Sequence, residues 1–296
     1  MQQQTAHDFD QELLILFDAY VHGAIDRRAF LDQAAKYAVG GVTAAMLLEQ
    51  LSPKFAEAQV VRTDDRRINP EYLEFASPNG YGKGRGYFVR PQAAAGKLPG
   101  ILVIHENRGL NPHIEDIARR IALDNFVAFA PDALFPLGGY PGEEDKARAL
   151  FPQLEQPKTR EDFIAALGFL KGRPECTGAV GAVGFCYGGG MVNFLATRVG
   201  EDLSAGVAFY GSAPNVDDVP KIKAPLLIQS AEVDERINAS WPAFEQALKA
   251  AGVRYQRHLY PGTQHGFNND TTPRYDAAAA KLAWERTIAF FKTHLR

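Results

Sequence analysis

Apolar residues change their period along this chain, and the changes divide it. Between Asp10 and His22, the residues Leu13, Leu14, Leu16, Phe17, Tyr20 and Val21 recur at helical spacing, which predicts an amphipathic helix. Gly23 ends it. Asp26 is placed to cap a second helix, predicted from Arg27 to about Leu51 and stopped by Ser52-Pro53. Residues 1–60 thus read as a helical extension, and residues 61–71, with Arg62, Asp64, Asp65, Arg66 and Arg67, as a charged linker. From Tyr72 to Arg296 short apolar runs alternate with helical patterns. Strands are predicted near 72–76, 86–90, 100–105, 126–130, 179–184, 205–210, 224–230 and 255–260. Helices are predicted near 113–124, 159–172, 187–199, 240–251 and 274–294. Such alternation implies an α/β fold, a mostly parallel central sheet with helices on both faces, preceded by the helical segment. The Pro- and Gly-rich stretch from Phe135 to Pro157 is a long excursion, placed to roof a site.

Composition narrows the function classes. With 46% hydrophobic and 23% charged residues, the chain is ordinary for a globular protein, and residues 72–296 alone are enough for a full core. A formal charge of −3 with scattered Lys and Arg gives no electrostatic case for nucleic acid, and the pattern gives none for stable membrane insertion. Two cysteines, Cys176 and Cys186, cannot make a disulfide framework. Cys176, in a turn after Arg173-Pro-Glu, reads as a surface or half-buried thiol. There is no C-x-x-C, no H-E-x-x-H and no clustered His set, so no metal is expected. Gly80-Tyr-Gly-Lys-Gly-Arg-Gly86 has a phosphate loop's composition but precedes a strand, and reads as a hairpin turn.

The chemistry concentrates at Gly184-Phe185-Cys186-Tyr187-Gly188-Gly189-Gly190, directly behind the apolar run Ala179 to Val183. A strand, a glycine, a nucleophile and more glycines form a nucleophile elbow with Cys in place of Ser. The nucleophile sits on a strained turn, where a side chain at Gly184 or Gly188 would meet neighbouring backbone. The helix that follows points its N-terminus at the sulfur, which favours the thiolate. A buried structural cysteine is the alternative reading.

An elbow needs an acid and a base downstream, in that order. Ala224 to Ser230 reads as a strand ending in Glu232-Val233-Asp234, and Tyr255 to Tyr260 runs into Gln264-His265-Gly266-Phe267. His265 would take the thiol proton and Asp234 would hold its imidazole, with Glu232 and Asp270 as rival acids. His7, His22 and His294 are terminal or on predicted helices and read as solvated. Upstream, Ile101 to Ile104 is a strand followed by His105-Glu106-Asn107-Arg108-Gly109. The backbone amides of Asn107 and Tyr187 would form the oxyanion hole. Glu106 beside a thiol is unusual, because a carboxylate disfavours a nearby thiolate; a structural pairing with Arg108 or another arginine is the other reading.

At these residues the chain resembles the dienelactone hydrolase (carboxymethylenebutenolidase) family of α/β-hydrolases, over about Tyr72 to Arg296. The resemblance rests on His105-Glu106, Pro131-Asp132, the G-x-C-x-G-G elbow, the Asp after its strand and His265-Gly-Phe. It implies an α/β-hydrolase fold, a catalytic triad of Cys186, His265 and Asp234, no cofactor, and esterase activity on a small lactone. It also implies that Glu106 holds the resting thiol neutral until substrate binds, with Arg108 a candidate substrate contact. One position departs from the pattern: the dienelactone-cleaving members carry an arginine four residues after the catalytic His, and here that residue is Asn269. Arg108, Arg236 and Arg274 are candidate substitutes for its charge.

The extension supports two readings. Asp26-Arg27-Arg28-Ala29-Phe30-Leu31 resembles a twin-arginine export motif, followed by an apolar stretch from Ala34 to Leu48 and by Ala56-Glu57-Ala58 as a cleavage site, which would make the protein periplasmic. Lys36 and Glu49 break or border that stretch, and amphipathic, acidic sequence precedes the arginines. The favoured reading is a retained helical module in a cytoplasmic enzyme, used for docking on the catalytic part or for homodimer contacts. The competing functions are a thiol-redox protein built on Cys186 and a non-catalytic protein with the N-terminal helices as its interaction surface.

Overall fold

The computed structural model describes residues 4–296, so residues 1–3 of the predicted extension lie outside the described residues. The first helix, α1 (Gln11–Val21), and the second, α2 (Arg27–Ala34), are capped by Asp10 and Asp26, whose carboxylates accept from the N–H groups of Glu12 and Ala29. The single helix expected from Arg27 to Leu51 is in fact two. Gly40 and Gly41 adopt φ of 63° and 88°, a left-handed turn that no continuing helix accommodates. After it come α3 (Ala44–Leu51) and the short α4 (Phe55–Ala58). Phe17, Tyr20, Phe30, Leu48 and Leu51 bury their side chains against one another within this one chain. Each large side chain removed from water in this way contributes roughly 1.5–3 kcal/mol.

Eight strands then form one sheet: β1 (Ile68–Ser77), β2 (Gly82–Pro91), β3 (Leu98–Ile104), β4 (Val127–Pro131), β5 (Cys176–Phe185), β6 (Ala205–Phe209), β7 (Leu226–Val233) and β8 (Tyr255–Gln264). Their spatial order is β1-β2-β4-β3-β5-β6-β7-β8. The glycine-rich segment at 80–86 does form a hairpin, with Ser77 opposite Gly82 in an antiparallel pair. From β4 onward every pairing is parallel. The α-helical crossovers are α5 (Pro112–Leu123), α6 (Glu144–Leu150) with α7 (Gln156–Lys171), α8 (Tyr187–Arg198), and α9 (Glu235–Asn238) with α10 (Trp241–Ala250); β6 reaches β7 through a short 3-10 helix, Val216–Lys221, and α11 (Ala277–His294) closes the chain. Apolar residues of α5 and α11 cover one face, as in Ile117, Ile121, Ile288 and Phe291. Those of α7, α8 and α10, such as Phe163, Leu195 and Leu248, cover the other. The central strands are therefore buried on both faces, which is why they read as continuous apolar runs.

Cys176 is not the surface or half-buried thiol that its turn suggested. It opens β5 opposite Leu98, is 2% exposed, and its sulfur accepts from the Gly178 N–H at 3.4 Å. The Phe135–Pro157 excursion contains α6, which clasps the N-terminal helices. Asp145 accepts from the Tyr20 hydroxyl and from Arg27 Nη1, and the Arg148 guanidinium lies 4.2 Å over the Tyr20 ring. What roofs the site most directly is α1, held in place by that excursion.

Candidate active site

The sharpest backbone feature of the sheet is at the end of β5. Cys186 adopts φ 55° and ψ −112°, a strained conformation that persists only where its surroundings enforce it. Enforcement comes from close packing: a Cβ on Gly184 would collide with the Gly188 carbonyl, and one on Gly188 with the Ile104 carbonyl of β3. The Cys186 N–H donates to the Phe209 carbonyl of β6 at 3.1 Å, fixing the turn to the neighbouring strand. Tyr187 opens α8, so its N–H is among the four at a helix start without an intrahelical acceptor.

Asp234 and His265 emerge from the ends of β7 and β8, which pair in parallel, and this register brings them together. His265 Nδ1 lies 2.6 Å from Asp234 Oδ2, with both side chains buried. The Asp234 carboxylate can only accept, which makes Nδ1 the donor and leaves Nε2 for the sulfur side. His265 Nε2 is buried, and a ring nitrogen of His265 lies within 4.8 Å of the Cys186 sulfur. The rival acids are engaged elsewhere: Glu232 accepts from the Gly262 N–H at 2.8 Å, and Asp270 binds Arg120 at 2.6 Å.

His22, which the sequence placed among solvated histidines, stands in this site. It caps the C-terminal end of α1, and its Nε2 lies 3.2 Å from Cys186 Sγ. Its ring meets that of His265 edge-on, with centroids 4.8 Å apart. Asp18, one helical turn earlier, lies 3.2 Å from His22 Nδ1 and is bound by Arg274 Nη1 at 3.1 Å. The missed signal is Asp18-x-x-x-His22, a pair at the i,i+4 spacing that shares one helix face.

Burial alone would raise the Cys186 pKa, but positive charge on His22 and His265 outweighs it and lowers the pKa to about 6. Burial works against a charged His265 as well; there the thiolate and the Asp234 carboxylate prevail, and its pKa is pushed up to about 10. Both directions describe one coupled system, the Cys186 thiolate between the imidazoles of His22 and His265, titrating as a unit.

The predicted oxyanion loop follows β3, but its side chains are committed. Asn107 Nδ2 and Arg108 Nη2 both donate to the Val21 carbonyl at the end of α1, at 3.0 and 2.9 Å. Glu106 Oε2 accepts from Asn269 Nδ2 at 3.0 Å, while the sulfur's own hydrogen-bond contact is His22. Asn269 therefore ties the loop after His265 to the loop after β3; its oxygen also accepts from the Thr271 N–H at 3.1 Å. Beside the dyad, between α1 and the ends of β7 and β8, lies a cavity of about 830 Å³. Asp18, Glu232, Asp234, Arg236, His265 and Arg274 are among its lining residues. A ring nitrogen of His22, one of His265 and the Cys186 sulfur all lie within 4.8 Å of one another.

A doubly covered, mostly parallel sheet with a strained cysteine elbow, and an Asp–His pair at the ends of its last two strands, defines an α/β-hydrolase. The chain belongs to the dienelactone hydrolase family, whose model matches residues 85–295, and it is a hydrolase of that family. A second model, described as YqhI-like, matches residues 1–36. Among similar proteins, one from Aquifex aeolicus named "Putative carboxymethylenebutenolidase" is 33% identical over 228 residues, 72% of this chain and 95% of that protein. An Escherichia coli K12 protein named "Putative hydrolase fragment YghX" is 49% identical over 114 residues, 38% of this chain and 97% of its own length. The crystal structure titled as a putative dienelactone hydrolase from Klebsiella pneumoniae superposes with a TM-score of 0.65 at 27% identity, covering 76% of this chain and 99% of that one. Among the described residues no helix is long and apolar enough to cross a membrane.

Proposed function

We propose that this chain is a cofactor-free cysteine hydrolase that opens a small ester or lactone through Cys186, His265 and Asp234. The observation that carries the reading is the buried 2.6 Å contact between His265 and Asp234, set beside a cysteine on a strained elbow. Cys186 passes its proton to His265 and attacks the carbonyl carbon, forming the S–C bond. The backbone N–H groups of Tyr187 and Asn107 hold the oxyanion. His265 gives its proton to the leaving oxygen as the C–O bond breaks, leaving a thioester. Water then loses a proton to His265 and attacks the thioester carbon; the S–C bond breaks and the acid departs. Asp234 keeps the imidazole in the required tautomer and stabilises its cation throughout. The direct test is to mix enzyme with a slowly hydrolysed aryl ester, quench, and locate the acyl group by peptide mass. The group is expected on Cys186; acylation elsewhere, or none during turnover, would overturn the reading.

A pH profile follows from the thiolate–imidazolium pair. The lowered Cys186 pKa means that kcat/KM rises as pH increases through about 6, where the thiolate forms. The raised His265 pKa means that activity falls as the imidazolium loses its proton near 10. A broad plateau between these limbs is expected from initial rates on a neutral ester whose own hydrolysis is subtracted.

Substrate charge is a further expectation. Four acids line the cavity, Asp18, Glu232, Asp234 and Glu235, against two arginines, Arg236 and Arg274. With Asn269 bound to Glu106 where the resemblance would put an arginine, neutral lactones should compete well with carboxylate-bearing ones. Where a carboxylate is accepted, Arg236 is the cation to hold it: Arg274 is buried and binds Asp18 at 3.1 Å, whereas Arg236 is half-exposed and only 4.0 Å from the same carboxylate. A charge-assisted hydrogen bond contributes about 1.5–3 kcal/mol, roughly ten- to a hundredfold in binding. Arg236→Ala should raise KM for an acidic lactone by that factor relative to a neutral one; equal effects on both would refute the assignment.

A further inference from the structure

Two Asp–His pairs converge on one sulfur. Asp234 and His265 come from the sheet, and Asp18 and His22 from α1, outside the part of the chain that the hydrolase family model covers. The second pair is built as carefully as the first. The His22 ring is held at Nδ1, which lies 2.8 Å from the Asp18 carbonyl and 3.2 Å from its carboxylate. Both partners are acceptors, so Nδ1 carries a proton and Nε2 alone faces the sulfur at 3.2 Å. Only one proton can join those two atoms: it sits on sulfur with a neutral imidazole accepting, or on nitrogen with an imidazolium donating to a thiolate.

The charged groups around His22 decide between these states. Asp18 on its own helix favours the imidazolium, and Asp18 is itself held ionised by the ion pair with Arg274. Burial works most strongly against the cation, and the cation of His265 opposes it too, but the Cys186 thiolate and the Asp18 contact prevail and the His22 pKa is raised. Arg236, just beyond β7, points Nη2 at His22 Nε2 from 3.1 Å and favours the neutral ring, since a guanidinium can only donate. Its side chain is 48% exposed, however, so water screens it, and its Nε also lies 4.0 Å from the Asp18 carboxylate, which offsets its charge, while the sulfur is enclosed. The acceptors on the enclosed side outweigh it.

We propose that the N-terminal helices complete the active site, and that His22, oriented by Asp18, is a second catalytic histidine whose Nε2–H donates to the Cys186 thiolate. The proposal rests on Cys186 being the nucleophile, with its own proton carried by His265; the proton on His22 comes from solvent. Sulfur is then ionised in the free enzyme before substrate arrives. This differs from the gating that the family resemblance implies through Glu106, whose carboxylate is occupied by Asn269. Placement of His22 depends on the grip of Asn107 and Arg108 on the Val21 carbonyl, so the oxyanion loop and the extension hold one another in register. Cleavage after Ala56-Glu57-Ala58 would remove this histidine, and the reading therefore requires that the working enzyme retain its extension.

The test is the pH dependence of Cys186 alkylation by iodoacetamide in the full-length chain, followed at the Cys186 peptide by mass. Only thiolate reacts, so the midpoint of the rate profile reports sulfur ionisation independently of turnover. In His22→Gln the midpoint should move up by a unit or more, about a tenfold loss of thiolate on the acid limb. Asp18→Asn, which keeps His22, should move it the same way by less. The acid limb of kcat/KM should move with it in both variants. An unshifted or lowered midpoint in a folded His22→Gln overturns the proposal, and a gain in hydrolysis with no shift would make α1 a plug instead. Asp18→Asn arbitrates if His22→Gln does not fold. Survival of hydrolysis in Cys186→Ala would instead overturn the cysteine mechanism, while leaving the alkylation result readable.

Discussion

Cys186→Ala and His265→Ala are each expected to reduce kcat for ester hydrolysis by at least about 10⁴-fold, a size typical of removing a nucleophile or its base. The double variant should be little worse than either alone, because in the proposed mechanism the two act on the same proton and the same bond. Alanine at 186 keeps the elbow's hydrogen bond from the backbone N–H to the Phe209 carbonyl and adds no atoms to a buried site, so the fold should persist. Initial rates on a lactone and an aryl ester, with melting curves on the same samples, measure both. Robust hydrolysis by folded Cys186→Ala would exclude the thioester route.

The second large effect concerns the choice among three acids. Asp234→Asn leaves an amide whose NH₂ group can face His265 Nδ1, which favours the wrong tautomer and removes the charge that supports the imidazolium. A loss of about 10³–10⁴ in kcat is expected, with KM little changed. Glu232→Gln should retain most activity, since its contact is a backbone N–H at the cavity rim. Asp270→Asn should show its effect in the melting temperature, because Asp270 binds Arg120 and His113 in a buried cluster behind the His265 loop. If Asp270→Asn lost more activity than Asp234→Asn at equal stability, the acid would have been misassigned.

The catalytic half of this fold was largely legible before any coordinates. Apolar runs at 100–105, 179–184 and 224–230 correspond to β3, β5 and β7 because strands covered on both faces admit few polar residues. The elbow was legible for a steric reason: Gly184 and Gly188 stand where any side chain would strike backbone, so the demand of the turn is written into adjacent residues. Boundaries were less exact. β1 starts at Ile68, inside the segment read as a linker, since pairing with β2 extends the strand beyond its apolar positions. The break at Gly40-Gly41 was passed over because helical periodicity on either side masked two left-handed residues.

What the sequence by itself determined is therefore the sheet, the elbow, and the chain order of Cys186, Asp234 and His265, all features set by local sterics or by strand periodicity. Only the tertiary structure decided which carboxylate meets His265, because Glu232 on β7, Asp234 just after it and Asp270 in the loop after β8 differ in placement and not in the chemistry of the carboxylate. The same holds for Glu106, whose partner Asn269 lies 163 residues away. Most of all it decided the place of His22. Periodicity showed that α1 would bury one face, but a helix's apolar stripe does not specify which loops its end will meet. That was settled by the Val21 carbonyl finding Asn107 and Arg108, and by Asp145 holding Tyr20 and Arg27, contacts more than 80 residues apart in sequence, which bring a histidine from the extension to 3.2 Å from the sulfur.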